Sequence, residues 1–309
     1  MRVLGTGFFL WLILRRVRFQ EIWFHVNQLS WIAYLFLVFI FLSIQFLTSY
    51  RWKLLLSMTG IKEPMYNLYM SVLYGQTINQ ILPSSIGGDS TRIAYLFNRH
   101  PQNKSESISS TFMDRFLGFF ALLIIVLCVL PFVNFVSSLQ KYLFSSILGA
   151  FLIFVVLIFL EIFDGVIERM INLHFIPKFV HHTLDNYWLV FRKYRSRKYQ
   201  ILFTFLLSLF TQGLTIISHY VTFLFLGIDI SLIQLFVVFP VVILITALPI
   251  SIGGIGVREA ALNNMLEITG DEVLSFSIIR YSYFLLLPFL LFIMSIIEKV
   301  LELEDTGSE

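Results

Sequence analysis

Leu82-Pro83-Ser84-Ser85-Ile86-Gly87-Gly88-Asp89-Ser90-Thr91-Arg92-Ile93-Ala94-Tyr95-Leu96 aligns without gaps on Leu248-Pro249-Ile250-Ser251-Ile252-Gly253-Gly254-Ile255-Gly256-Val257-Arg258-Glu259-Ala260-Ala261-Leu262. The Leu-Pro start, the Ser-Ile-Gly-Gly core and the Arg-x-Ala-x-Leu end are shared. Each copy reads as helix, break, helix. Pro costs the incoming helix a hydrogen bond, paired glycines permit a sharp turn, and the Arg-x-Ala-x-Leu pattern resumes helical periodicity. The correspondence extends outward. Gly60-Ile61 and Gly227-Ile228 each open the segment leading to a copy, and Arg115 and Arg280 each open a following apolar span.

The chain around these copies is 309 residues long, 58% hydrophobic, 17% aromatic and 13% charged, where soluble domains carry roughly a quarter charged residues. A soluble globule cannot hide that much apolar side chain, so the chain reads as a multi-span helical membrane protein. Spans are expected at Leu29 to Tyr50, Phe116 to Val136, Tyr142 to Phe163, Ile201 to Leu226 and Phe276 to Ile297, each long enough to cross about 30 Å of hydrocarbon. Met65 to Leu82 is amide-rich (Asn67, Gln76, Asn79, Gln80), and Leu232 to Leu248 runs into Pro249. The apolar run Val3 to Leu14, bounded by Arg15, Arg16 and Arg18, has no cleavage pattern after it and reads as a retained first segment.

The expected fold is an all-α integral membrane protein with six to eight transmembrane helices in two internal repeats, each holding a Pro/Gly-Gly-broken helical hairpin. It forms a single membrane domain over 1–309, with repeat one at about 29–136 and repeat two at about 201–298. A basic cytoplasmic loop at about 164–200 joins them; it carries Arg169, Lys178, Arg192, Lys193, Arg195, Arg197 and Lys198 against Asp164, Glu168 and Asp185. Tyr187, Trp188, Phe191 and Tyr194 suit a helix at the headgroups within it. Re-entrant hairpins make the repeats inverted and full crossings make them parallel. Inverted repeats are favoured.

Non-helical backbone at membrane depth survives only when buried in protein or lining a wet cavity. The breaks therefore read as hairpin tips facing the protein centre; the alternative is a tight surface loop between two spans. Arg92 and Arg258 follow the second Gly of each copy by four residues, one turn inside a helix whose free amides point at the turn. Amides plus guanidinium make an anion site, and a lipid phosphate is the natural anion in a membrane. Alternatively each Arg snorkels to the headgroup layer. Asp89 can cap its helix where Ile255 cannot. Asp114 and Arg115 begin a span, diverge around it and pair with other helices. Arg280 needs a partner, for which Glu259 or Asp114 are candidates. His219 reads as a packing residue.

The net charge of +3 sits in short blocks, which makes nucleic acid a poor partner. Cys128 is the single cysteine, so no intrachain disulfide can form. His181-His182 has no third ligand at helical spacing, and no metal is expected. There is no Gly-x-Ser-x-Gly elbow, P-loop or His-Glu-x-x-His, so no catalytic residue or cofactor is assigned.

Together, Arg51-Trp52 followed by Leu54-Leu55, the Asn79-x-x-Leu82-Pro83-x-x-x-Gly87-Gly88-Asp89-x-x-Arg92 block, Asp114-Arg115 and Gly253-Gly254-x-Gly256-x-Arg258-Glu259 resemble the lysylphosphatidylglycerol synthase transmembrane-region family. That family includes the flippase-like part of the bacterial multiple peptide resistance factor. The resemblance covers about residues 5 to 300. It implies a multi-pass protein of a prokaryotic cytoplasmic membrane that moves a phospholipid or lipid-linked precursor between leaflets and has an anionic-headgroup lipid as its partner. Lysyl transfer in the full-length synthase resides in a soluble carboxy-terminal domain, whereas this sequence stops at Glu309, so the reading leans away from an enzyme. The expected substrate-binding residues are Asn79, Pro83, Gly87, Gly88, Asp89, Arg92, Asp114, Arg115, Pro249, Gly253, Gly254, Gly256, Arg258, Glu259 and Arg280. Two alternatives stand: an accessory subunit scaffolding a partner enzyme of lipid or envelope biosynthesis, and a polyprenyl-dependent transferase using Asp89 or Asp114.

Overall fold

A computed structural model describes residues 19–81, 87–133, 178–247 and 254–283, with isolated positions at 144–146, 148–149, 153, 286–287 and 290–291. The described residues are helical: α1 (Phe19–Gln28), α2 (Trp31–Thr59), α3 (Met65–Ile81), α4 (Gly87–Arg99), α5 (Lys104–Val129, continued by a 3-10 turn Leu130–Phe132), α6 (Lys178–Arg195), α7 (Lys198–Phe225), α8 (Leu232–Ala247), α9 (Val257–Leu266) and α10 (270–283). Among them, Trp31–Thr59, Lys104–Phe132 and Lys198–Phe225 are long and apolar enough to cross a membrane. The Val3 to Leu14 run and most of the Tyr142 to Phe163 span lie outside the described residues.

Two expected spans differ in their bounds. α2 runs past Tyr50 through Arg51 and Lys53 to Thr59, and α5 starts at Lys104, so Asp114-Arg115 lies well inside a helix rather than at its start. The reason is that Arg51 and Asp114 neutralise each other inside the protein, so neither needs a helix end and solvent. Within the basic segment Lys178–Arg195 is helical, in line with the helix read from Tyr187, Trp188, Phe191 and Tyr194.

Helix ends follow local chemistry, and the two Gly-Ile pairs end α2 and α7 in the same way. Gly60 and Gly227 take φ of +99° and +70°, and Ile61 and Ile228 donate back to Leu56 and Phe223 carbonyls. This is the left-handed cap that glycine supplies without a Cβ penalty. At the start of α10, Thr269 Oγ1 and the Glu272 carboxylate exchange bonds with each other's backbone N–H at 3.3 and 2.7 Å, a capping box. Each Gly cap is followed by a shorter helix, α3 after Gly60 and α8 after Gly227; residues 82–86 and 248–253, which hold the Leu-Pro-x-Ser-Ile starts of the two copies, lie outside the described residues.

Two compact units are present, Met1–Phe46 with Tyr66–Arg92 and Thr215–Glu309, and Leu47–Met65 with Ile93–Leu214. In the first, Phe41, Leu42, Met70, Leu73 and Tyr281 pack with Leu287 and Leu291. Gln76 Nε2 donates to Gln45 Oε1 at 3.2 Å, Tyr34 and Ser282 hydroxyls meet at 2.8 Å, and His25 Nδ1 bonds the Leu226 carbonyl that ends α7. His219 lies face-on to Phe239 at 4.3 Å and edge-on to Phe276 at 5.4 Å, a packing role. In the second unit Leu55, Met58, Met113, Leu117, Val190 and Tyr194 form a core, so one face of α6 is docked on α2 and α5. Large apolar side chains at Ile32, Leu35, Phe39, Phe203, Leu206 and Phe210 are exposed. On helices of this length that is the composition of a lipid-facing surface.

Candidate functional site

In the first unit, the α3–α4 hairpin closes on glycine. Asn79 Oδ1 accepts the Gly88 N–H at 2.7 Å, and a Cβ built on Gly88 would stand 2.5 Å from the Gly75 carbonyl oxygen. The two helix backbones touch there, which only glycine permits. Asn79 thus ties the hairpin together through the backbone. Gly87 and Gly88 are helical, and the Gly87 carbonyl accepts from Thr91 Oγ1. Arg92 is buried one turn inside α4, with Asp89 at 3.8 Å. Pro83 lies outside the described residues, as do Pro249 and Gly253.

The second break is built differently. Gly254 and Gly256 take φ of +77° and +83°, and α9 starts only at Val257. Arg258 therefore sits in the first turn of its helix, where a full turn inside was expected. Asp89, read as a cap, instead lies inside the first turn of α4, which starts at Gly87, whereas the glycine at 256, where the first copy has Ser90, allows the left-handed turn to run on. Glu259 reaches back instead: its Oε2 accepts the Gly256 N–H at 2.6 Å.

Around that turn lies a buried polar cluster. Glu259 Oε1 accepts from Ser277 Oγ at 2.7 Å and from the Tyr281 hydroxyl at 3.2 Å, and Tyr281 in turn accepts from Arg258 Nη1 at 2.8 Å. The guanidiniums of Arg258 and Arg280 lie 5.9 and 5.8 Å from the Tyr281 ring centre. Of the two carboxylates read as partners for Arg280, Glu259 belongs to its surroundings. Two guanidiniums thus share one aromatic ring beside one carboxylate that already accepts three hydrogen bonds.

Asp114 is held in the second unit. Arg51 Nε donates to its Oδ1 at 2.7 Å, both side chains are buried, and Arg51 Nη1 also donates to Ser208 Oγ at 3.1 Å. Trp52 Nε1 bonds Ser110 Oγ at 3.2 Å, and Gln212 Nε2 bonds the Gly118 carbonyl at 3.2 Å. Arg115 points away and is exposed. Burial, reinforced by the Glu106 and Asp114 carboxylates, holds the Tyr194 hydroxyl far above the usual tyrosine range, so it stays protonated.

Sequence reasoning missed Arg51 and Tyr281 as members of these clusters, and it missed Glu63 entirely. Glu63 is buried, accepts from the Tyr95 hydroxyl at 3.0 Å, and lies 2.7 Å from His100 Nε2. A carboxylate in the polar Gly60–Pro64 connection carries no periodic signal that would mark it as interior.

Residues 1–291 match a family model described as Lysylphosphatidylglycerol synthase TM region. A UPF0104 membrane protein of Methanothermobacter thermautotrophicus is 24% identical over 234 residues, which cover 70% of this chain and 69% of that protein.

Proposed function

We propose that this chain, which belongs to the lysylphosphatidylglycerol synthase TM region family, is a lipid flippase or lipid transporter of a prokaryotic inner membrane. It moves a phospholipid or lipid-linked precursor between leaflets and holds the lipid phosphate at its Gly-turn/Arg sites. The carrying observation is the Arg258–Tyr281–Arg280 arrangement with Glu259. Two guanidiniums gathered at one aromatic ring among apolar helices form a donor set that an anion complements. A lipid phosphate is such an anion and matches the guanidinium fork. Arg92 beside Asp89 is the weaker counterpart in the first hairpin. The aligned Leu-Pro/Gly-Gly/Arg copies and the matching Gly60-Ile61 and Gly227-Ile228 helix caps support two inverted repeats within one membrane domain of six to eight spans, with the basic segment cytoplasmic. The transferase alternative needs an available carboxylate, and the engagement of Asp114 by Arg51 weighs against it.

Direct binding of a short-chain anionic phospholipid to the purified full chain tests this. Arg258→Ala is expected to weaken binding by about 1.5–3 kcal/mol, the worth of a charged hydrogen bond. Arg258→Lys falls between, because it keeps the charge and loses the fork, and Arg92→Ala has a smaller effect in the same direction. Folded, inserted Arg92→Ala and Arg258→Ala proteins that bind as tightly as the parent would make both arginines headgroup anchors and end the phosphate-site reading.

A further inference from the structure

We infer that His219 of α7 donates a ring N–H to the lipid phosphate at Arg258 and Arg280; this rests on the transport reading above and adds a third donor to its anion site.

His219 falls on the inward stripe of α7. Ile216 and Phe223, one turn to either side on that stripe, are fully buried, while Ile217 and Leu224 on the opposite face are exposed. His219 itself is only half-buried, so the gap that its ring borders lies on the protein side of the helix and not in lipid. The ring lies face-on to Phe239 at 4.3 Å and edge-on to Phe276 at 5.4 Å. Phe276 and Arg280 are one turn apart on α10, and the charged groups that act on the imidazole are Arg280 and then Arg258. Both guanidiniums lie against the Tyr281 ring, so His219 and the two arginines share one neighbourhood.

Packing explains the ring but not its nitrogens. Phenylalanine at 219 would stack as well beside Phe239 and Phe276, without carrying two polar atoms into apolar surroundings. Neither ring nitrogen has a hydrogen bond among the described residues. The edge contact with Phe276 spends at most one of them on a weak N–H···π interaction. An ionisable side chain on the inward face of a span is characteristic of ligand and ion pathways. Imidazole donates from at least one nitrogen in either protonation state, and guanidinium only donates. A group that accepts from an imidazole and two guanidiniums together is an oxyanion, and the phosphate of an anionic lipid is the one a membrane supplies.

Binding of dihexanoyl phosphatidylglycerol to the full chain in detergent micelles, with isotope-labelled histidine rings read by nitrogen NMR, tests this. The chain has six histidines, and the signals missing from His219→Phe are those of His219. In the parent they should move saturably with added lipid. His219→Phe keeps the stack, so its thermal midpoint should stay near the parent's while its lipid affinity falls about tenfold. His219→Gln keeps an N–H and should fall between. Inorganic phosphate that moves the same signals over the same concentrations makes the phosphate group alone the ligand; signals moved only by the lipid make it the headgroup with its chains. If Arg258→Ala weakens binding but the His219 signals stay still, or folded His219→Phe binds like the parent, His219 is a packing residue and the arginine site stands without it. Equal binding by Arg258→Ala and the parent would instead bring down the arginine site, and this inference with it.

Discussion

Asp114→Ala is expected to destabilise the protein by about 3–5 kcal/mol, the cost of leaving one half of a buried ion pair behind. Arg51 and Asp114 are both buried and meet at 2.7 Å, and the second guanidinium arm is already committed to Ser208. Removing the carboxylate leaves the buried Arg51 guanidinium between α2, α5 and α7 without its counter-ion. The double variant Arg51→Leu, Asp114→Leu should recover most of the loss, because two apolar side chains of similar volume avoid the desolvation cost. Thermal unfolding of the detergent-solubilised protein measures both. An Asp114→Ala midpoint equal to the parent's would mean that the pair has no structural role.

Glu259→Ala carries the second large effect, again about 3–5 kcal/mol. The carboxylate accepts from Gly256 N–H, Ser277 and Tyr281 and is the negative charge beside Arg258 and Arg280. Its loss frees the donors of Gly256, Ser277 and Tyr281 and removes the carboxylate beside the two guanidiniums at the Tyr281 ring. Glu259→Gln keeps the shape and an acceptor but not the charge, so it should fall between. It should also show a sign that a purely structural residue would not. Added anionic phospholipid should raise the thermal midpoint of Glu259→Gln more than that of the parent, because one negative charge beside the arginine pair is then gone. Equal lipid-induced shifts in the two proteins would separate Glu259 from the anion site.

The helices were readable where apolar periodicity and glycine punctuation coincide. The Gly60-Ile61 and Gly227-Ile228 pairs predict helix ends, and both occur with the same left-handed cap. The helix-break-helix reading of the two hairpins also depends on local rules alone, and its breaks at 82–86 and 248–253 lie outside the described residues. The interior ends of α2 and α5 were not readable, since Arg51, Lys53, Asp114 and Arg115 look like a membrane boundary until Arg51 and Asp114 are seen to meet from positions far apart in sequence. The difference between the two breaks was half legible: Asp89 against Ile255 marked them as chemically unequal. That Gly88 stays helical against Gly75 while Gly254 turns left-handed depends on what packs beside each. Tyr281 was invisible for a related reason. It is an ordinary aromatic in an apolar run, and its place between Arg258 and Arg280 follows from how α9 and α10 lie together.

The central claim is that this chain by itself carries lipid between leaflets through its glycine-closed hairpins, and transfer in vesicles containing only the purified protein tests it most directly. Fluorescent anionic phospholipid placed in one leaflet should become accessible from the other faster than in protein-free vesicles, with no nucleotide added. Gly88→Val paired with Gly254→Val should abolish the acceleration while leaving insertion intact. The first substitution drives a side chain into the Gly75 carbonyl, and the second forces a β-branched residue to φ of +77° beside Thr246. Vesicles with the folded parent protein that exchange phospholipid no faster than empty ones would contradict the account.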